Sequence, residues 1–260
     1  MKIDLSGRVV IVTGAGRGIG RAIAELAAES GAKVVLAARS ETEINAVAQA
    51  ITQKGGSAKA VTTNLVDRAA LDHLVKSTVE EHGRIDGLVN NAGTNYIANL
   101  VMAKEADFRA VYELNVFSVM LLTQACVKHM IRQKGGRIVN ISSVSAKVGA
   151  AYNSAYASSK AAVLGFTRSV ARETAALGIT VNAVCPWHVD TELVRESMGK
   201  RAKMFGKSAE DYLAEIVGHS PQRRLIEARE VAAMTVFLLS DDAKGITGQS
   251  LNVDGGTVME

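Results

Sequence analysis

Apolar residues along this chain come in short continuous runs, each closed by a polar or glycine-containing turn and followed by a segment with apolar positions at helical spacing. RVVIVTG (8–14) is a β-branched run ending in glycine and predicts a buried strand. In GRAIAELAAESGA, Ile23, Ala24, Ala27 and Ala28 share one helical face and Gly31 supplies the stop. The unit then repeats. Strands are predicted at KVVLAAR (33–39), SAKAVTTNL (57–65), IDGLVNNAG (85–93), GGRIVNISS (135–143), GITVNAVCP (178–186) and SLNVDGG (250–256). Helices are predicted over 41–54, 67–82, 107–133, 154–176 and 229–240. Strands alternating with helices across short turns imply right-handed crossovers and a doubly wound parallel sheet covered on both faces, an α/β class. One interval breaks the rhythm: 187–222 is long enough to insert one or two helices as a lid over a site.

The 260 residues fit one domain, 1–260, with a core that needs no disulfide or metal staple. At 48% hydrophobic and 22% charged, the composition is that of a soluble protein; no uninterrupted apolar run approaches the roughly 18 residues of a membrane span, so no membrane partner is expected. The amino-terminal apolar run leads straight into glycines instead of a cleavage site, which makes a cytoplasmic location the default. Cys126 and Cys185 lie far apart without a CxxC pair or a histidine at ligand spacing, so they read as buried thiols and no metal is implied. A net charge of +4 falls short of the concentrated basic patch of a nucleic-acid binder. Between 195 and 207, however, Arg195, Lys200, Arg201, Lys203 and Lys207 face a single acid, Glu196. That stretch reads either as a solvated helix face or as a site for an anionic substrate.

Chemistry enters with TGAGRGIG (13–20), placed between the first strand and the first helix. Gly14 permits a tight turn, Gly18 lets backbone approach a pyrophosphate, Gly20 lets helix pack on strand, and free N–H groups at the helix start face the anion. At the end of the second strand, where an acid would hold the ribose 2′-hydroxyl of NAD, stand Ala38 and Arg39. With no carboxylate there to repel a 2′-phosphate, and with Arg39 and Arg17 to pair with it, NADP(H) is expected ahead of NAD(H). Solvated arginines are the alternative. Farther on, Ser143 ends the fifth strand while Tyr156 and Lys160 project from one face of the next helix, into the crevice at the strands' carboxyl ends. A free phenol, with a pKa of about 10, is a poor base near neutrality unless a cation favours its phenolate, and Lys160 is that cation.

TGAGRGIG, NNAG, LNV, IVNISS, YASSK, VNAVCP and ITGQSLNVDGG occur in the order and at the spacing of the short-chain dehydrogenase/reductase family, which the chain resembles over nearly its whole length. The resemblance implies a single Rossmann-type domain with a seven-stranded parallel sheet. It also implies Tyr156 as general acid in reduction and general base in oxidation, and Ser143 as hydrogen-bond partner of the substrate oxygen. Lys160 would lower the tyrosine pKa and hold the nicotinamide ribose, and Asn115 would anchor a water leading from Lys160 to solvent. Ile19, Asn64, Leu65, Asn90, Asn91, Ala92, Gly93, Pro186, Val189 and Thr191 fall at cofactor-lining positions; Ser145, Trp187 and His188 fall at the substrate pocket. Trp187 replaces a family glycine and reads either as pocket wall or as a side chain turned to solvent or packed under the 190–220 lid.

The chain is similar to 3-oxoacyl reductases, whose substrates ride on a carrier protein. Lys134 keeps one basic docking position, but Leu177 stands where an arginine would be expected, which leaves coenzyme A thioesters and small free ketones open. The expected activity is therefore NADPH-dependent reduction of a ketone to a secondary alcohol, with a dehydrogenase of a cyclic alcohol, polyol or sugar as the rival. A non-catalytic nucleotide-binding scaffold would be favoured by loss of Ser143, Tyr156 or Lys160, and all three are present. A homotetramer joined through the helices at 107–133 and 154–176 is the assembly the resemblance implies.

Overall fold

In the computed structural model, which describes residues 3–259, the apolar runs become β1 Val9–Thr13, β2 Lys33–Ala38, β3 Ser57–Thr62, β4 Gly87–Asn90, β5 Gly136–Ile141, β6 Ile179–Pro186 and β7 Ser250–Val253. All pair in parallel in the order β3-β2-β1-β4-β5-β6-β7. The order reverses between β1 and β4, so their outgoing connections diverge and leave a crevice beyond the carboxyl ends.

Period-two alternation explains why continuous apolar runs suit these strands, since each buries both of its faces. Val10, Val12, Val34 and Leu36 face α1 (Gly18–Glu29), α2 (Glu41–Gln53) and α10 (Ala228–Leu239). Val9, Ile11, Val35 and Ala37 face α3 (Arg68–His82), α5 (Ser118–Gln133) and the far end of α7 (Ser154–Thr174). Several expected strands end early: 57–65 stops at Thr62, 85–93 at Asn90 and 250–256 at Val253. Their polar and glycine residues leave the ladder where no neighbouring strand extends beside them, and those released ends form the crevice.

The helix expected over 107–133 is interrupted. α4 (Glu105–Tyr112) passes through a π turn, Glu113–Phe117, before α5 begins. By length and composition Glu105–Gln133 is apolar enough to cross a membrane, but half of its most apolar window is buried within the protein. The interval 187–222 carries two helices, α8 (Glu192–Met204) and α9 (Ala209–His219), which share a small apolar cluster of Met198, Ala202 and Tyr212. The short α6 (Ser145–Val148) follows β5.

Candidate active site

The glycine loop has the backbone that a side chain would forbid. Gly14 and Gly18 sit at φ +64° and +54°, and a Cβ on Gly20 would lie 2.2 Å from the Gly14 carbonyl oxygen. A Cβ on Gly14 would come within 2.9 Å of Ala92 Cα, so the loop lies directly against the turn after β4. Thr191, the N-cap of α8, reaches over Gly18, where a Cβ would be 3.3 Å from its methyl. The first turn of α1 carries no acid. This is a cradle whose open backbone and helix N-terminus fit a pyrophosphate.

The arginines expected to select a 2′-phosphate are both exposed. Arg39 has no ion pair among the described residues, whereas Arg17 contacts Glu192 at 3.1 Å across to α8. That exposed pair is worth at most about 1 kcal/mol and leaves Arg17 free to exchange partners. Reading the end of β2 alone misses an acid: Glu43, three residues beyond the α2 N-cap Ser40, fills the space beside Gly16, where a Cβ would lie 2.7 Å from Oε2. The Ser-x-x-Glu spacing of a capping box is the signal that places it at the helix start.

Beyond β4, Thr13 Oγ1 donates to Val89 O at 3.2 Å and accepts from the N–H groups of Asn91 and Ala92 at 2.9 and 3.1 Å. Asn91 Nδ2 donates to Thr13 O and Gly14 O at 2.9 and 3.2 Å, tying this turn to the glycine loop. Asn90 departs from the expectation. Its amide points to the other face of the sheet and donates to Thr123 Oγ1 and Asn140 Oδ1, and Asn140 in turn donates to Thr167 Oγ1 at 2.8 Å. Neighbouring residues at a strand end face opposite ways, so Asn90 belongs to a buried polar ladder instead of a cofactor surface. Leu65, Pro186 and Val189 are buried in the core and offer only backbone to a ligand, and Ile19 packs partly against it. Asn64 is exposed and caps its turn through its carbonyl, which accepts from Asp67 N.

Ser143, just past β5, accepts from Ser145 N at 3.1 Å and lies close enough to the Tyr156 hydroxyl to lower its pKa. Tyr156 and Lys160 lie one turn apart on α7, as their spacing predicts. Lys160 Nζ donates to Ile141 O at 2.7 Å and stands 5.8 Å from the Tyr156 ring centroid. Burial pushes the phenol above its usual pKa, the Ser143 hydroxyl only partly offsets that, and the nearby Cys185 thiol adds to it. Burial likewise pulls Lys160 down to about 8. The net direction for Tyr156 in this arrangement is upward, with burial the largest cause. Cys126 and Cys185 are both free and buried, but Cys185 backs onto this site.

Asn115 occupies the π turn and is fully buried. Its Oδ1 accepts from Thr94 N at 2.8 Å, while Nδ2 donates to Thr94 O at 2.9 Å and to Ser159 Oγ at 3.0 Å. This clasp joins the segment after β4 to α7. The inserted residue of a π turn is what re-aims such a side chain, and helical periodicity carries no trace of it. Gly93 lies over the clasp, where a Cβ would be 3.2 Å from Asn115 Oδ1 and 3.4 Å from Lys160 Nζ.

On the opposite wall, Trp187 is half-buried and packs with Val144, Leu164, Cys185 and Val258, its ring meeting His188 edge-on at 4.7 Å. It points inward, not to solvent. Burial, then the Arg201 charge, lowers the His188 pKa to about 4. Tyr152, at φ +61°, meets Phe205 edge-on, and Phe205 stacks on Tyr212, so an aromatic ladder joins the loop before α7 to α8 and α9. Tyr152, Asn153 and Phe205 were invisible to motif reading, because only the fold brings 152–153 against 201–205.

The comparisons agree with this geometry. A family model described as short chain dehydrogenase matches residues 8–202. The 3-oxoacyl-[acyl-carrier-protein] reductase of Synechocystis sp. is 42% identical, with 98% of each chain covered. Among solved structures, a variant of actinorhodin polyketide ketoreductase with NADPH superposes with a TM-score of 0.94 at 33% identity, covering 96% of this chain and 97% of that one. Levodione reductase superposes at 0.91 with 34% identity over the same shares.

Proposed function

This chain belongs to the short-chain dehydrogenase family, and from that premise we propose that it reduces a ketone to a secondary alcohol with NADPH, with Tyr156 as proton donor. It is an oxidoreductase of carbonyl and alcohol groups. The observation that carries the reading is the placement of Ser143, Tyr156 and Lys160 at the crevice shared with the glycine cradle. Gly14, Gly18, Gly20 and Thr191 would hold the pyrophosphate, Arg39 and Arg17 the 2′-phosphate, and Lys160 the ribose hydroxyls. NADPH, when bound, supplies the hydride.

Ser143 and Tyr156 together hold the substrate oxygen. As negative charge grows on that oxygen, Tyr156 gives up its proton to it and Ser143 stabilises what remains. Burial holds the phenol above its usual pKa, so Tyr156 carries the proton it would donate in reduction. Asn115 and Lys160 stand behind Tyr156 as the route for replacing that proton, and Ser145, Trp187 and His188 form the pocket wall beneath a lid of α8 and α9. The protein works as a cytoplasmic homotetramer, its subunits meeting through α5 and α7.

A 3-oxoacyl thioester is the first substrate supported, since the relative at 42% identity is named for that reaction. A second reading, a small free cyclic ketone, rests on Leu177, which is 40% exposed where a carrier-docking arginine is expected, and on the likeness to levodione reductase. Turnover of acetoacetyl thioester and of a neutral cyclic ketone, each with NADPH and NADH, tests both. Activity on the thioester alone sustains the first reading; inactivity on every ketone overturns the proposal.

A further inference from the structure

The basic run 195–207 is not uniform once folded. Arg195 forks onto Asp190 at 2.7 and 2.8 Å, Lys207 pairs with Glu215, and Lys200 and Lys203 are exposed. Arg201 differs from all four. It is half-buried on the inner face of α8, has no carboxylate partner among the described residues, and its one hydrogen bond is donated by Nη2 to Asn153 Oδ1 at 3.2 Å, with that amide oriented toward it. Its charge also reaches His188.

Those two neighbours locate the guanidinium. Asn153 is the N-cap residue of α7, three positions before Tyr156. His188 follows Pro186, whose carbonyl accepts from Val144 N beside Ser143. Arg201 is therefore bonded to the residue that opens α7, the helix of Tyr156, and its charge reaches the segment that follows β6. Asn95 Nδ2, donating to Ser197 Oγ at 3.4 Å one turn earlier on α8, and the Tyr152–Phe205 contact one turn later hold the helix in this position. With no acid paired to it among the described residues, the Arg201 guanidinium fork is open to a carboxylate, which it suits geometrically.

Resting on the ketone-reductase reading but on neither substrate named above, we infer that Arg201 binds a carboxylate carried by the substrate, so that a ketone bearing an acid is preferred over its neutral ester. The apolar wall of Trp187 would line the short chain between the two groups.

Levulinate and acetoacetate, each beside its methyl ester, test this in the intact protein with NADPH present. Wild type is expected to favour acid over ester by about tenfold or more in kcat/KM, the worth of one charge-assisted hydrogen bond. Arg201→Gln should erase the preference by raising KM for the acid, and Arg201→Lys should keep part of it; thermal melts establish that both variants fold. Calorimetric titration supplies the readout independent of turnover. An acid that binds wild type but not Arg201→Gln, without being reduced, upholds Arg201 and counts instead against the ketone-reductase reading. Equal binding of acid and ester by wild type, binding of neither acid, or an unchanged preference in Arg201→Gln overturns the inference.

Discussion

The two ends of the sheet are both rich in polar groups, and they use them differently. At the amino end Arg8 and Arg137 converge on Asp241 at 2.6 and 3.2 Å, and Arg137 also donates to the carbonyls of Ser240 and Gly178. Asp86 accepts from Val9 N at 2.9 Å and pairs with Arg84, while the Gln133 amide clasps both backbone groups of Ile85 at 2.9 and 3.0 Å. Most polar groups there are matched within the chain, the buried Thr180 hydroxyl being an exception, so that end closes the fold. At the carboxyl end, the Tyr156–Ser143 pair, the open glycine cradle and Arg201 face neutral partners or free backbone. Polarity satisfied internally gives stability, and polarity left facing a crevice gives chemistry.

Substitutions at the two ends should therefore separate activity from stability. The largest effect is expected for Tyr156→Phe. Loss of the proton donor should lower kcat by roughly 10²–10⁴-fold while the melting temperature stays within a few degrees, and wild-type kcat would contradict the assignment. At the opposite end, Asp86→Ala strands the buried Val9 N–H and should cost about 2 kcal/mol, read as a lower urea midpoint with kcat per folded molecule unchanged. A drop in kcat without a shift in midpoint would erase the distinction between the ends.

Smaller is the effect of Arg39→Asp, which places a second acid near Glu43 and should shift the NADPH-to-NADH ratio of kcat/KM toward NADH by about tenfold. An unchanged ratio would remove Arg39 from cofactor selection. A further effect, confined to acid pH, comes from His188. Its pKa in the folded protein is about 4 against 6.5 for a free histidine, so the unfolded chain binds more protons between those values. Stability from this group is complete above about pH 6.5 and declines as pH falls toward 4. His188→Gln should flatten that part of a melting-temperature profile, and an identical slope in both proteins would assign it elsewhere.

The fold was legible because each apolar run is bounded by glycine or by polar residues and each helix by a recognisable stop. Ser143, Tyr156, Lys160 and the glycine loop were legible because their chemistry follows from spacing along one element or at one strand end. Asn90 was misplaced because adjacent residues at a strand terminus look alike in sequence but face opposite sides. Glu43 and Asn153 lie outside any strand-end motif, and they acquire meaning only from what packs against them. The basic run 195–207 was visible as a whole, but one charge in it differs from its neighbours only after α8 has docked.

Sequence alone determined the alternation of strands and helices, the tight glycine turn after β1 and the one-turn spacing of Tyr156 and Lys160 on α7, since all of these rest on local periodicity and on residue chemistry. Tertiary structure decided the rest. The π turn aims Asn115 at Thr94 and Ser159, burial raises the Tyr156 pKa and lowers that of Lys160, and the docking of α8 brings Arg201 against Asn153 with no acid paired to it among the described residues. Desolvation and the pairing of groups distant in the chain are properties of the packed molecule, and no local pattern carries them.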